Sequence, residues 1–245
     1  MAARLGLVVA LDREASCVGG RPLPRDAVTA LDDHCLAFVC GTGPARAANA
    51  AEALLAAGAT HLLSVGTAAA LREGLAPGDL VVPAAVTDGS QRHSVDEAWR
   101  QSIFRQLSAA PGAVDGGLLL SVDRVVATPG EKATLCRETG AVAVDMESSA
   151  VLAAGARAGV PCAAIRVIVD PSGLAVPAFV LEHCDAYGRP RLLALLMALL
   201  SDRRQLVPFL RLAQAFAAST RTLRWLGTRR WRLIQAACVA GSADL

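Results

Sequence analysis

Four residues able to hold or move a proton fall within four residues of the end of short apolar runs. Glu14 follows Leu5–Ala10, Thr67 follows His61–Val65, Glu147 follows Ala141–Val144, and Asp170 follows Cys162–Val169. Carboxylates serve general acid–base chemistry, and open α/β sheets place ligands at the carboxyl ends of their strands. Glu147 opens a helical stretch of about 12 residues, and the next strand runs back over about eight to Asp170. At helical and strand rises these legs measure roughly 18 and 26 Å, so Glu147 and Asp170 return to the same sheet edge. Three carboxylates and a hydroxyl then surround one pocket. Each also has a plainer reading. Glu147 suits a helix start, where it complements the macrodipole. Asp170, before Pro171-Ser172-Gly173, suits a turn or cap. Glu14 suits a solvated helix face.

The elements that must position these residues alternate in the manner of an α/β fold with buried parallel strands. Strands are expected at Leu5–Ala10, Leu36–Cys40, His61–Val65, Leu80–Val86, Leu118–Val126, Ala141–Val144 and Cys162–Val169. Helices are expected at Ala45–Ala57, Glu131–Glu138 and Glu147–Ala158, closed by stops such as Ala57-Gly58 and Ala158-Gly159. From Leu192 onward the strands stop, and helices interrupted by Pro208 and Gly227 take over. The boundaries read as a domain over 1–190 and a basic helical extension over 191–245.

Composition narrows the field. The 245 residues are 53% apolar and 19% charged, which excludes a disordered chain. The net charge of +2 is unevenly spread: residues 1–185 carry 14 basic and 20 acidic side chains, residues 186–245 carry 10 and 2. Seven scattered cysteines without a CxxC pair argue against structural zinc or a disulfide framework and fit a reducing cytoplasm. His34, His61, His93 and His183 lack metal-ligand spacing, so no metal is expected. The segment Cys40-Gly41-Thr42-Gly43-Pro44-Ala45-Arg46 could cradle a phosphate on backbone N–H groups. It lacks the third glycine of a dinucleotide fingerprint, and Walker, HExxH and GxSxG motifs are absent. The N-terminus shows no cleavable signal pattern, and the longest Leu-rich run, Leu192–Leu200, is nine residues, where a membrane span needs about 20.

Five ordered motifs resemble the nucleoside phosphorylase and nucleosidase superfamily, especially its methylthioadenosine/S-adenosylhomocysteine nucleosidase branch. They are LVVALDREA (Leu7–Ala15), CGTGPARAANA (Cys40–Ala50), SVGTAAAL (Ser64–Leu71) with PGDLVVP (Pro77–Pro83), AVDMESSAV (Ala143–Val151) and IRVIVD (Ile165–Asp170). The resemblance implies a three-layer α/β/α fold with a central mixed, twisted sheet, and a homo-oligomer. It makes Asp170 the acid that protonates the purine at N7 and Glu14 the group that positions or deprotonates an attacking water. Glu147 would hold the ribose hydroxyls with Met146 packed beside the sugar. Gly66 and Thr67 would stand near the ribose and nucleophile, and Val125 and Val126 would flank the base, where the nucleosidases tend to carry an aromatic residue. No cofactor is implied; phosphate is a candidate co-substrate.

This chemistry breaks an N-glycosidic bond through an oxocarbenium-like state. Protonating the leaving base contributes about 10²–10⁴-fold and requires Asp170 partly neutral, through burial or a nearby carboxylate. Phosphorolytic relatives commonly hold phosphate with an arginine where Ser64 stands here, so Glu14 and Ser64 favour water. A closer likeness pulls towards phosphate. ATPGEKATLCRETGAVAVDMESSAV (Ala127–Val151), DPSGLAVPAFV (Asp170–Val180), YGRPRLLALL (Tyr187–Leu196) and LVPFLRLAQAF (Leu206–Phe216) resemble the hopanoid-associated phosphorylases. That likeness implies cleavage of adenosylhopane, an adenine nucleoside with a large lipid substituent, giving adenine and ribosylhopane or phosphoribosylhopane.

The tail reads in the same direction. Leu206, Phe209, Ala213, Phe216, Thr220 and Leu223 recur at helical steps, with Arg204, Arg211 and Arg221 on or near the other face. Trp225 and Trp231 sit among Arg224, Arg229, Arg230 and Arg232. Such a pattern suits peripheral contact with the inner membrane surface; the alternative is packing on the domain or on a second subunit. Nucleic acid is disfavoured because Leu and Phe dominate between the charges. Two further readings stand: a soluble methylthioadenosine/S-adenosylhomocysteine-type nucleosidase, and a non-catalytic nucleoside- or lipid-binding protein.

Overall fold

A computed structural model describes residues 3–107, 110, 112, 114–191, 197 and 201–229. Expectations that fall on Trp231, Arg230, Arg232, Cys238 and nearly all of Leu192–Leu200 lie outside the described residues.

The central layer is one mixed sheet of 11 strands among the described residues. In chain order they are β1 (Leu5–Val9), β2 (Val28–Asp32), β3 (Cys35–Val39), β4 (His61–Ala70), β5 (Leu80–Val81), β6 (Ala85–Thr87), β7 (Arg92–Ser94), β8 (Val114–Asp115), β9 (Leu118–Ser121), β10 (Ala143–Asp145) and β11 (Cys162–Asp170). The helices are α1 (Asp12–Gly19), α2 (Pro44–Ala56), α3 (Glu97–Leu107), α4 (Pro129–Thr139), α5 (Ser148–Ala158), α6 (Ala178–Glu182) and α7 (Leu206–Arg229), with a 3₁₀ turn at Arg203–Gln205. The main path runs β2-β3-β1-β4-β10-β9-β6-β7, and β11 pairs with β4 and β5 beside it. Strands β1, β3, β4 and β11 are parallel neighbours, whereas β10 meets β4 antiparallel, so the sheet is mixed, as the resemblance implied.

Helices cover both faces. Ala47, Ala50 and Leu54 of α2 pack with Val151 and Leu152 of α5 against Val8, Leu36 and Leu62. On the other face, Ala15 and Val18 of α1, Trp99 and Ile103 of α3, and Leu223 and Leu226 of α7 close over Leu7, Leu63 and Ile165. The three-layer α/β/α architecture follows from strands that are apolar on both faces.

Several boundaries differ from the sequence reading. β4 continues past Val65 to Ala70, because Gly66–Ala69 keep pairing with β11, so Thr67 lies inside a strand rather than after it. Leu80–Val86 divides into β5 and β6 around Pro83, which has no N–H to give a ladder. Only the first half of Leu118–Val126 is strand. Pro208 sits in the first turn of α7, where a missing N–H costs nothing, and the helix passes through Gly227 unbroken. The apolar stripe of α7 is also rotated from the expected one. Its buried residues are Leu212, Ala215, Ser219, Thr220, Thr222, Leu223 and Leu226, so Thr220 and Leu223 are buried as expected while Leu206 and Ala213 are exposed. Hydroxyls make this possible: Ser219 Oγ donates to the Ile168 carbonyl at 2.7 Å and Thr222 Oγ1 to Gly78 at 2.8 Å. Among the described residues no helix is long and apolar enough to cross a membrane.

Candidate active site

Glu14 sits on the first turn of α1, immediately beyond β1, and is only 3% exposed. The solvated-face reading is therefore overturned. The Thr67 amide and hydroxyl both donate to Glu14 Oε1 at 2.7 Å, and the Leu11 amide donates to Oε2 at 3.1 Å. Gly66 makes this approach feasible: a Cβ there would lie 3.0 Å from Glu14 Oε2 and 3.2 Å from Arg166 Nη1. Burial pushes Glu14 above the ordinary carboxylate range, against the Thr67 hydroxyl and the Arg166 charge, which pull it down.

Glu147 is the N-cap of α5, yet its side chain does not cap that helix. It reaches across the fold, where Oε1 accepts the Gly43 amide at 3.0 Å. Gly43, at φ 108°, holds a conformation that side chains rarely adopt. The amides of the glycine turn are engaged within the protein, since Gly41 and Thr42 donate to the Ala10 and Ala186 carbonyls and Gly43 to Glu147. Asp145 takes the helix-start role, accepting the Ser148 amide at 3.1 Å. Burial first, and the Asp145 charge second, push Glu147 upward.

Arg166, in the middle of β11, is 2% exposed and lies among these acids. Its Nε donates to Asp145 at 2.7 Å, its Nη2 donates to Ser64 Oγ at 2.7 Å, and Nη2 stands 3.9 Å from Glu147 Oε2. Burial opposes its charge, but Asp145, Glu147 and Glu14 outweigh that and hold its pKa above the ordinary value.

Asp170 is the last residue of β11 and is 4% exposed. Its carboxylate accepts Lys132 Nζ at 2.5 Å rather than capping the turn that follows. Burial raises Asp170 and Lys132 opposes the rise. Burial is thus the feature that favours its neutral form, while the neighbouring charge is a lysine and not a carboxylate. Lys132 is delivered by the first turn of α4, which Thr128 caps by accepting the Glu131 amide.

These groups open onto a cavity of about 390 Å³. Glu14, Thr67, Val125, Val126, Met146, Glu147 and Asp170 line it, so seven of the eight residues expected from the sequence meet there. Gly66 does not line it and acts from behind, as the space that receives Glu14. Val126 is buried, whereas Val125 is 46% exposed at the mouth. Leu11, Val176, Val180, Leu181, Leu212 and Phe216 make an apolar wall. Among the described lining residues the cation is Arg124, which pairs with Glu131 at the rim. Among the described residues no group of three or more His, Cys, Asp or Glu is arranged to hold a metal ion.

The sequence reading missed Lys132, Asp145 and Arg166. The signal was present: a lone arginine within the apolar run Cys162–Val169, and the single lysine of the chain, both of which must be paired if buried.

The arrangement holds three buried acids with raised pKa, two of them near Arg166 and the third paired with a lysine at a strand end. None of the curated proteins matches the sequence. Solved structures share the fold at low identity. Helicobacter pylori 5'-methylthioadenosine/S-adenosylhomocysteine nucleosidase superposes with TM-score 0.65 at 14% identity, covering 100% of this chain and 99% of that one. The Neisseria meningitidis enzyme of the same name, in complex with methylthio-immucillin-A, gives 0.64 at 16%, covering 98% and 99%. Futalosine hydrolase of Helicobacter pylori gives 0.61 at 20%, covering 69% and 88%. Residues 28–200 match the phosphorylase superfamily, a stretch that contains Thr67, Lys132, Glu147, Arg166 and Asp170 but not Glu14. With most of its length and all but one of these site residues inside that match, the chain belongs to the phosphorylase superfamily.

Proposed function

We propose that this protein hydrolyses the N-glycosidic bond of an adenine nucleoside whose sugar carries a large apolar substituent, adenosylhopane being the leading substrate. The observation that carries the reading is the meeting of Glu14, Glu147 and Asp170 in one cavity from three distant parts of the chain. Asp170 protonates the leaving purine, and the bonding electrons depart with the base. Glu147 accepts hydrogen bonds from the ribose hydroxyls, and these strengthen as positive charge develops on the sugar. Glu14 takes a proton from the attacking water, a role its raised pKa suits. No cofactor enters this scheme.

Water is favoured over phosphate because the cavity is lined by carboxylates, while Arg166 is engaged by Asp145 and Ser64. The lipid substituent is favoured by the apolar wall and by what continues from it. Phe179 of α6 packs against Phe209 of α7 at 6.2 Å between ring centroids, and Leu206, Val207 and Leu210 are exposed on the same turns of α7. These residues, with Arg204 and Arg211 beside them, suit shallow contact with an anionic membrane surface. A cytoplasmic enzyme acting at the inner face of the membrane, as a homo-oligomer, fits this reading.

A smaller substrate such as methylthioadenosine is the second reading, favoured by the likeness of fold to nucleosidases. Adenine release from adenosylhopane and from methylthioadenosine, each with and without phosphate, separates these cases. The expected result is phosphate-independent release with strong preference for the lipid nucleoside. Equal turnover of the small nucleoside would sink the lipid assignment, and an absolute phosphate requirement would sink hydrolysis.

A further inference from the structure

Lys132 is the single lysine in a chain with 24 basic residues, and it is completely buried. Its three N–H bonds find three acceptors: Asp170 Oδ2 at 2.5 Å, the Leu174 carbonyl at 2.8 Å and the Pro171 carbonyl at 3.1 Å. A cage of three acceptors suits an ammonium, because a neutral amine has only two N–H donors. A protonated Asp170 beside that ammonium would leave one uncompensated positive charge in the interior, whereas an ammonium facing a carboxylate is neutral overall. The resting pair therefore holds one transferable proton, and that proton is on nitrogen.

From these contacts we propose that Lys132 is a positioning residue that also supplies the proton Asp170 delivers, so that the pair and not the lone carboxyl is the acid of the reaction. The inference rests on the glycosidic-cleavage reading above. In the step, one Nζ–H bond and the C–N glycosidic bond break, one N–H bond forms on the leaving purine, and the glycosidic electron pair leaves with the base. Asp170 accepts and passes on the proton and ends as a carboxylate; Lys132 ends as a neutral amine. The attacking water loses its proton to Glu14, and exchange with solvent after product release restores Lys132. The surroundings are compatible with this proton accounting. From β11 Lys132 faces Asp170, and from the 171–174 turn it faces carbonyls alone. Glu131, its neighbour on α4, is paired outward with Arg124.

The test is the pH profile of adenine release by the full-length protein, beside NMR of its one labelled lysine. The native enzyme is expected to keep releasing base well above neutral pH, beyond the range in which a lone carboxyl keeps its proton. In Lys132→Met the acid is Asp170 alone, and the alkaline limb moves down by about two pH units or more. Lys132→Arg holds Asp170 but does not surrender its proton, and loses about 10²-fold at every pH. A native alkaline limb already complete below neutral pH overturns the relay without any variant. So does an unmoved limb in Lys132→Met, or full activity in Lys132→Arg. The lysine signal reports the pair independently of turnover and should shift in Asp170→Asn; an unchanged signal overturns the pairing. A pair visible by NMR in a native protein that releases no base would sink the glycosidic reading, and the relay with it.

Discussion

Arg166 approaches a single oxygen of Asp145 with two nitrogens, Nε at 2.7 Å and Nη2 at 2.6 Å, while Nη2 also reaches Ser64 Oγ at 2.7 Å. This pair is the electrostatic base of the site. One buried cation stands among Asp145, Glu147 and Glu14, so the acids cannot all ionise cheaply, and two of them are pushed upward.

Replacing Arg166 with Met should leave Asp145 buried without its ion partner and destabilise the fold by about 3–5 kcal/mol. Arg166→Lys keeps the charge but loses the two-nitrogen approach, and should fall between. Chemical denaturation of the two variants checks the order; equal stability of all three proteins would contradict it.

Glu147 and Glu14 have raised pKa values in the folded state, so the fold binds protons that the unfolded chain has released. Their contribution is present below the ordinary carboxylate range and is lost as pH rises through the raised values. Glu147→Gln avoids the buried charge and should be more stable than the native protein at pH 8 by about 1–3 kcal/mol, with the gap closing by pH 5. Thermal unfolding at the two pH values measures this, and base release should be lost in the same variant.

Gly66→Ala tests the space that receives Glu14. The added Cβ at 3.0 Å from Oε2 forces the carboxylate from its place against β4. Activity should drop by at least about tenfold, equivalent to about 1.4 kcal/mol, while circular dichroism stays native. Unchanged turnover would mean that the position of Glu14 is not critical.

Phe216→Ala opens the apolar wall. A nucleoside with a large apolar substituent should lose about 1.5–3 kcal/mol of contact, read as a rise in KM of roughly tenfold or more. Methylthioadenosine should be affected far less. Parallel losses for both substrates would place Phe216 against the nucleoside core instead.

Asp170→Asn should lower base release by about 10²–10⁴-fold. Because it also strands Lys132 in the interior, it should cost stability, unlike Glu147→Gln. Native-like stability together with full activity would remove Asp170 from the mechanism.

Much of this was legible without coordinates. Helices α2, α4 and α5 begin and end within two residues of expectation, because Pro44, Thr128-Pro129, Gly140 and Gly159 punctuate them locally. The strands β1, β3 and β11 stand out as apolar runs because both of their faces are covered. The edge strand β2 was missed, since its alternately exposed residues resemble a loop, and α1 and α3 were missed although α3 buries Trp99, Ile103 and Leu107 at four-residue steps. The stripe of α7 was misphased in part because Ser219 and Thr222 are buried, spending their hydroxyls on carbonyls of other elements, while Thr220 and Leu223 are buried as expected.

For the site, residue type and order along the chain already specified which carboxylates meet in the cavity: strand ends and helix starts are local features, and alternation of strand and helix brings them to one edge. Charge partnership is different in kind. Asp145 and Arg166 are 21 residues apart, Lys132 and Asp170 are 38 apart, and Gly43 and Glu147 are 104 apart. No periodicity encodes such pairs, because what selects them is the cost of leaving an ion unpaired in an interior that only the folded sheet creates. The chain therefore announced its acids, and tertiary packing decided which of them sit against a cation and which are held near neutrality.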